Sequence, residues 1–446
     1  MTERIIVVGG VAAGMSAASK ARRIDPKVEI TVYEAGDQVS YGACGLPYFI
    51  SNLNNDYKKM IIRTADDFIH KQNIDVKLKH KVVKVFPKDK SLLVRNILSG
   101  QVFIDHYDKL IIATGAAPIM PPWPGRELKN VFTLKTIQDA IDIKEAVMQR
   151  DVKNVAIIGA GYIGMELVES MIYLGKKVTV IDRSPRVMNT FDKEISDLVL
   201  KESEKHNVAI YNNETVEALI GSHRVEGIKT DRAVYEADAV VVCVGVKPST
   251  ELMKGTGVKL FPNDAIVVDQ ELKTNLEDIY AAGDCATIYH QVLKKDSYIP
   301  LGTNANKQGK VLGENILGSH KKFPGVIGTA VCKVLDITIA RTGISEEEAQ
   351  HHHIPYKTHF VKASSHASYY PEATPIYVKL IYDPVTRKLL GAQMAGEKGI
   401  AIRIDVFATA IQNQMVLEDI GMLDLCYAPP FATVWDAIQV AANSAK

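Results

Sequence analysis

One local arrangement occurs twice in this chain and leaves few folds open to it. It consists of an apolar strand, a glycine turn, a helix, a second apolar strand and an acid. In the first copy Ile5-Ile6-Val7-Val8 runs into Gly9-Gly10-Val11-Ala12-Ala13-Gly14. Met15–Arg23 then reads as a helix, and Val28–Val32 as a strand ending at Glu34. In the second copy Val155–Ile158 runs into Gly159-Ala160-Gly161-Tyr162-Ile163-Gly164, a helix continues through Leu174, and Val178–Ile181 ends at Asp182. Such a turn lets the backbone approach a pyrophosphate, whose charge lies at the helix amino end, while the acid accepts from ribose hydroxyls. The first copy departs from the usual pattern at its middle glycine, which is Val11. Two such units in one chain are far more specific than either alone, so two dinucleotide folds are expected.

Two further strand ends show how the units are threaded. Lys109–Ala113 is a strand ending in Thr114-Gly115, and Ile279–Ala282 is a strand ending in Gly283-Asp284. They flank the second unit, which is therefore expected to be inserted into the first. The outer domain is assigned to residues 1–118 and 247–322 and the inserted domain to 119–246, with Val244-Gly245-Val246-Lys247-Pro248 marking the exit. From Phe323 the character changes: Ile376–Tyr382 alternates like a strand and Ile400–Gln412 has helical spacing. The expected fold class is α/β, two Rossmann-like domains with one inserted in the other, plus a carboxy-terminal α+β domain over 323–446.

A chain of 446 residues accommodates about three such domains. Formal net charge is +1, which gives no global electrostatic case for nucleic acid or an anionic membrane. The longest uncharged stretch, Gln38 to Asn55, is broken by Gly, Pro, Ser and Asn and does not read as a spanning helix. Met1-Thr2-Glu3-Arg4 passes straight into the first strand without the pattern of a secretory signal. The five cysteines, at 44, 243, 285, 332 and 426, are scattered and do not form a disulfide framework. The cytoplasm is the expected compartment.

Cys44 stands in Ser40–Tyr48, SYGACGLPY, with no cysteine near it in the sequence. Taken with both dinucleotide motifs, Gly283-Asp284, His366-Ala367-Ser368-Tyr369-Tyr370-Pro371 and Tyr427-Ala428-Pro429-Pro430-Phe431, it makes the chain resemble, over essentially its full length, the single-cysteine pyridine nucleotide-disulfide oxidoreductases. Within them it looks most like the coenzyme A-disulfide reductases. Dithiol members carry a second cysteine where this chain has Val39, and a carboxy-terminal His-Glu pair that is missing here. Peroxide-reducing members carry a histidine where this chain has Ala12. No appended sulfurtransferase domain is expected.

The resemblance implies FAD on the outer domain, with Gly9, Gly10, Ala12, Ala13, Gly14, Glu34, Val82, Ala113, Thr114, Gly115, Gly283 and Asp284 around it. It implies NADH or NADPH on the inserted domain, at Gly159, Gly161, Tyr162, Ile163, Gly164, Asp182 and Arg183. Asp182 favours NADH, while Arg183 and Arg186 could accommodate a 2′-phosphate. Cys44 is implied as the redox nucleophile, held at rest as a mixed disulfide with coenzyme A, its pKa lowered by the helix near Leu46 and by the flavin. Tyr369 and Tyr427 are implied as proton donors to leaving thiolates, from the partner subunit of an obligatory homodimer. Ser16, Lys20, Arg23, Ser40 and His366 are implied to line the coenzyme A channel, where Ala43 replaces an asparagine of relatives. The remaining cysteines are read as structural. His351-His352-His353, preceded by Glu346-Glu347-Glu348, is read as a solvated loop and not a metal site. An NADH oxidase, a coenzyme A persulfide or polysulfide reductase, and a redox-sensing flavoprotein stay open as alternatives.

Overall fold

The computed structural model describes residues 3–446. Strands so apolar must be covered on both faces, and the chain satisfies this with two parallel sheets of the same design. In the first, Arg4–Val8 is central, between Lys109–Ile112 and Glu29–Tyr33, with Ile279–Ala281 and Asp75–Lys77 at the edges. In the second, Asn154–Ile158 is central, between Ala239–Val242 and Lys177–Asp182, with Val131–Thr133 and Ala209–Asn212 outside them. Between the sheets the chain passes out along Ala116–Pro118 and returns along Val246–Pro248, two strands paired antiparallel. The third unit is a five-stranded antiparallel sheet running from Ala330–Val334 to Lys357–Ser364 at its other edge.

The helices expected from periodicity are present as Ala13–Ile24, Tyr162–Tyr173 and Ile400–Gln412. One local expectation is corrected. Glu346–His351 is a helix and not a loop, because Ser345 Oγ accepts from the Glu348 amide while the Glu348 carboxylate accepts from the Ser345 amide. That reciprocal cap, with three acids in the positive first turn, stabilises a helix the composition alone disguised. Only His352 and His353 lie beyond it.

One apolar core ignores the boundaries between these units. Leu46, Phe49, Ile50 and Met60 from the first lobe pack with Ile137, Met165 and Val168 of the second and with Cys332, Val334 and Ala395 of the third. The short helix Leu46–Ile50, directly after Cys44, is thus buried where all three units meet. Its carbonyls are held from the second unit: Ser170 Oγ donates to Pro47 O at 2.8 Å and Lys144 Nζ to Phe49 O at 2.9 Å.

Candidate active site

The two glycine turns are superimposable in their constraints. Gly9 has φ +103°, and a Cβ there would lie 2.2 Å from Ala113 O; Gly159 has φ +107°, and a Cβ would lie 2.4 Å from Cys243 O. Only glycine fits either position, where the turn is pressed against the neighbouring strand. At Gly161 and Gly115 nothing lies within 4 Å of where a Cβ would stand, so the backbone there is open to a ligand.

The helices behind the turns carry the second sign. Four helices, starting at Ala65, Ile137, Glu346 and Ala437, have complete capping boxes. Ala13–Ile24 and Tyr162–Tyr173 have no side-chain cap, a lack they share with helices such as Lys193–Lys205 and Gly302–Asn315, but these two start directly behind the glycine turns. Their first amides are left for an acceptor from outside the chain, which is the donor set a pyrophosphate requires. The residues present therefore fit FAD at the first turn and a nicotinamide dinucleotide at the second.

The two acids brace the turns. Glu34 accepts from the amides of Gly10 at 2.7 Å and Gly36 at 2.7 Å, and Asp182 from those of Ala160 at 2.6 Å and Ser184 at 2.7 Å. Each carboxylate oxygen keeps a further lone pair for a hydroxyl. Arg183 is exposed and makes no ion pair among the described residues, whereas Arg186 is drawn to Glu347 at 2.8 Å. Tyr162 packs on Phe191, and Ile163 beside it is exposed. Val82 is buried in the core, paired with Val94 on the neighbouring strand. Thr114 Oγ1 donates to Ser249 O, fixing the crossing at Gly115, and Gly283 presents Asp284 at the end of its strand.

Cys44 lies in the single turn Ala43–Gly45, its thiol accessible from one side. All five cysteines are free thiols, so it has no intramolecular disulfide partner. The polypeptide by itself raises its pKa, which leaves the expected lowering to the flavin. Packed protein atoms strip water from the sulfur and raise its pKa, the Glu166 and Asp284 carboxylates raise it further, and Lys135 opposes them. The helix after it has only five residues.

Glu166 and Lys135 were not anticipated from the sequence. Glu166 rides on the helix Tyr162–Tyr173 of the second unit, and burial, assisted by Glu169, pushes its carboxyl up to about 7. Lys135 Nζ stands 3.4 Å from Asp284. A signal for Glu166 existed: it is one of only two charges in an otherwise apolar helix, one turn before the Ser170 that grips Pro47. Glu166 stays protonated in the fold well above the ordinary carboxylate range, so its favourable contribution is full at low pH and is lost as pH rises through about 7. Above that pH its charge opposes ionisation of Cys44. Glu166→Gln is therefore expected to move the midpoint for alkylation of reduced Cys44 down by about half a pH unit. Iodoacetamide rates followed against pH check this, and an unmoved midpoint contradicts the coupling.

Tyr369 and Tyr427 come together from stretches 58 positions apart, with their hydroxyls at 2.9 Å. The contact stabilises protonated Tyr427 and raises its pKa. Both are exposed, 75% and 43%, and among the described residues neither bonds to Cys44 of the same chain. Tyr370, Phe431, Val434 and Trp435 are exposed alongside them in the sequence. His366 is corrected as a substrate contact: it is buried, its Nε2–H donates to Pro371 O at 2.9 Å, and its Nδ1 accepts from Ser365 Oγ at 3.0 Å. Both nitrogens are spent on its own loop. On the first helix Ser16 donates to Asn306, Lys20 pairs with Glu314 at 3.1 Å, and Arg23 is exposed with no ion pair among the described residues. Ser40 is fixed beside the first turn through its amide, which donates to Gly10 O.

Two helices without side-chain caps, each behind a glycine turn pressed against the neighbouring strand, define a protein with two dinucleotide-binding folds. The chain belongs to the pyridine nucleotide-disulphide oxidoreductase family: residues 3–309 match that family's model and 329–438 match its dimerisation domain. Its particular similarities are as follows. It is 39% identical to the NAD(P)H coenzyme A polysulfide/persulfide reductase of Pyrococcus horikoshii, covering 100% of this chain and 99% of that one. It is 33% identical to an NADH oxidase of Methanocaldococcus jannaschii, over 99% and 98% of the two chains. It is 31% identical to the coenzyme A disulfide reductase of Staphylococcus haemolyticus, over 99% of each chain. Among solved structures, reduced Bacillus anthracis CoADR-RHD superimposes with a TM-score of 0.97 at 34% identity, over 100% of this chain and 80% of that one. The family implies FAD and NAD(P)H as cofactors. Among the described residues no helix is long and apolar enough to cross a membrane.

Proposed function

We propose that this protein is an NAD(P)H-dependent reductase of coenzyme A disulfides and persulfides, working through Cys44 as its single redox thiol. The observation that carries the reading is an accessible sulfur with no partner cysteine, in the turn that leads into the buried helix Leu46–Ile50 where the three units meet. Bound FAD supplies the relay by which the two electrons of the NAD(P)H hydride reach that sulfur. The Cys44 thiolate attacks a coenzyme A disulfide; a Cys44–coenzyme A bond forms as the substrate bond breaks, and one coenzyme A thiolate leaves. With a persulfide the same attack expels hydrosulfide. Two electrons then cleave the mixed disulfide, returning Cys44 and the second coenzyme A as thiolates. Lys135 offsets the charge developing at Cys44, while Glu166 holds or yields a proton near neutral pH. At rest Cys44 is the mixed disulfide.

The tyrosine pair supplies protons to the leaving thiolates, from the partner subunit of a homodimer. Its exposure, on aromatic stretches within the dimerisation domain, supports this arrangement. Arg23 offers a free cation to the phosphates of coenzyme A at the mouth of the channel, with Ser16, Lys20 and Ser40 along it. NADH serves at least as well as NADPH, because Asp182 repels a 2′-phosphate and Arg186 is engaged by Glu347. Steady-state comparison of the two dinucleotides checks this, and a strong NADPH preference contradicts it. The persulfide arm draws on the 39% identity to a polysulfide/persulfide reductase. Intact mass before and after a reductant tests the whole reading. An increment of one coenzyme A, removed by reduction and absent from Cys44→Ser, is expected. A thiol always free, with oxygen as the only efficient acceptor, would instead indicate an oxidase.

A further inference from the structure

Arg403 lies in the first turn of the helix Ile400–Gln412, where a cation opposes the helix dipole. Its side chain is nevertheless 11% exposed and fully committed. Nε donates to both oxygens of Asp436, at 2.9 and 3.1 Å. Nη2 donates to Ser365 O at 3.0 Å and to Phe431 O at 3.1 Å, and Nη1 reaches back to Gly399 O at 3.3 Å. Ser365 O is in the segment that carries Tyr369, and Phe431 O in the segment that carries Tyr427. One planar guanidinium therefore bridges the two stretches whose tyrosine hydroxyls meet, and among the described residues the only backbone bond between them is Ala367 N to Pro429 O at 3.2 Å.

The neighbours are shaped around that arginine. Gly399 has φ +72°, and a Cβ on it would stand 2.1 Å from Arg403 Nη1. Asp436 caps the last helix through the Ile438 amide and is itself buried, so its carboxylate is a fixed anchor. A lysine cannot reproduce this, since the arrangement needs several donors in one rigid plane.

We propose that Arg403 is a positioning residue for the Tyr369–Tyr427 hydroxyl pair, setting the register of the two loops so that the pair can protonate the leaving thiolate. This rests on the proton-donor reading of the tyrosines given above. Arg403 touches neither substrate nor cofactor in this role. It acts only through the loops, and its effect must vanish once the hydroxyls are gone.

The test uses the flavin-loaded dimer, in wild-type and Tyr369→Phe/Tyr427→Phe backgrounds, with Arg403→Gln, Arg403→Lys and Gly399→Ala. Turnover of coenzyme A disulfide and anaerobic bleaching of the flavin by NADH are measured for each. In the wild-type background Arg403→Gln is expected to lower kcat about tenfold, with a smaller change in KM and bleaching within about twofold of wild type. Arg403→Lys should not rescue it, and Gly399→Ala should move kcat the same way. In the phenylalanine background Arg403→Gln should cost nothing further. Equal losses in both backgrounds, or a parallel loss of bleaching, would show a merely structural role and overturn the proposal. So would wild-type turnover in Arg403→Gln while the phenylalanine pair is impaired. If the phenylalanine pair itself turns over normally, the tyrosine reading falls and this proposal with it. Should Arg403→Gln not yield a dimer, Gly399→Ala decides by the same comparison.

Discussion

Cys44→Ser is expected to lower turnover of coenzyme A disulfide by more than about a thousandfold while leaving reduction of the flavin by NADH close to wild type. The division follows from where the residue stands. The dinucleotide docks on the second glycine turn, and nothing in that turn depends on the sulfur. Serine keeps the shape of the Ala43–Gly45 turn, whose fastening runs through the backbone and through the buried helix that follows. A hydroxyl has neither the acidity nor the affinity for sulfur to open a disulfide. Stopped-flow reduction alongside steady-state assays separates the two halves. A variant that still reduces coenzyme A disulfide at an appreciable fraction of the wild-type rate would remove Cys44 from the chemistry. The four other cysteines are poor substitutes: Cys243, Cys285 and Cys332 have pKa values raised chiefly by burial, and Cys426 is on the third unit.

The double substitution Tyr369→Phe/Tyr427→Phe is expected to reduce turnover about a hundredfold, the scale of losing a positioned general acid. Each single change should cost less, because the remaining hydroxyl keeps one proton at the site. The pair is exposed and removal of its hydroxyls leaves no buried polar group unpaired, so melting temperature should barely change. The two singles and the double form a cycle. Costs that simply add would show that the hydroxyls act separately, against the coupling implied by their contact. Mixing subunits checks the partner's contribution. A heterodimer of Cys44→Ser with Tyr369→Phe/Tyr427→Phe should retain one working site if the tyrosines serve across the interface. If they serve within their own chain, it should retain none, and the trans arrangement is wrong.

The outcome at particular residues shows what kind of information a sequence carries. Both glycine turns were readable because their pattern is local: each follows a continuous apolar strand and opens a helix, although the carbonyls that Gly9 and Gly159 must clear, Ala113 O and Cys243 O, lie far along the chain. Ile400–Gln412 was found from its periodicity, and Ile376–Tyr382 from its apolar, β-branched and aromatic run, which is buried on both faces from Val378 to Tyr382. Glu346–His351 misled because a run of acids and histidines looks solvated unless its capping serine is recognised. His366 misled because its family position says nothing about which groups its ring already satisfies.

The charges around Cys44 lie outside local reasoning altogether. Glu166 and Lys135 come from the inserted half of the chain, and in one dimension each is an unremarked helix or loop residue. Their effect falls off with distance through space and not along the chain, so the direction of the thiol's pKa could be read only after folding.

From the order of its residues alone the chain determined its two dinucleotide turns and their strand and helix partners. These rest on patterns among near neighbours in the chain. Tertiary structure alone decided which carboxylates face that sulfur, that Tyr369 and Tyr427 meet, and that Arg403 ties their loops together. Those relations join segments separated by tens to more than a hundred residues, and packing brings them within reach by burying a core that all three units share.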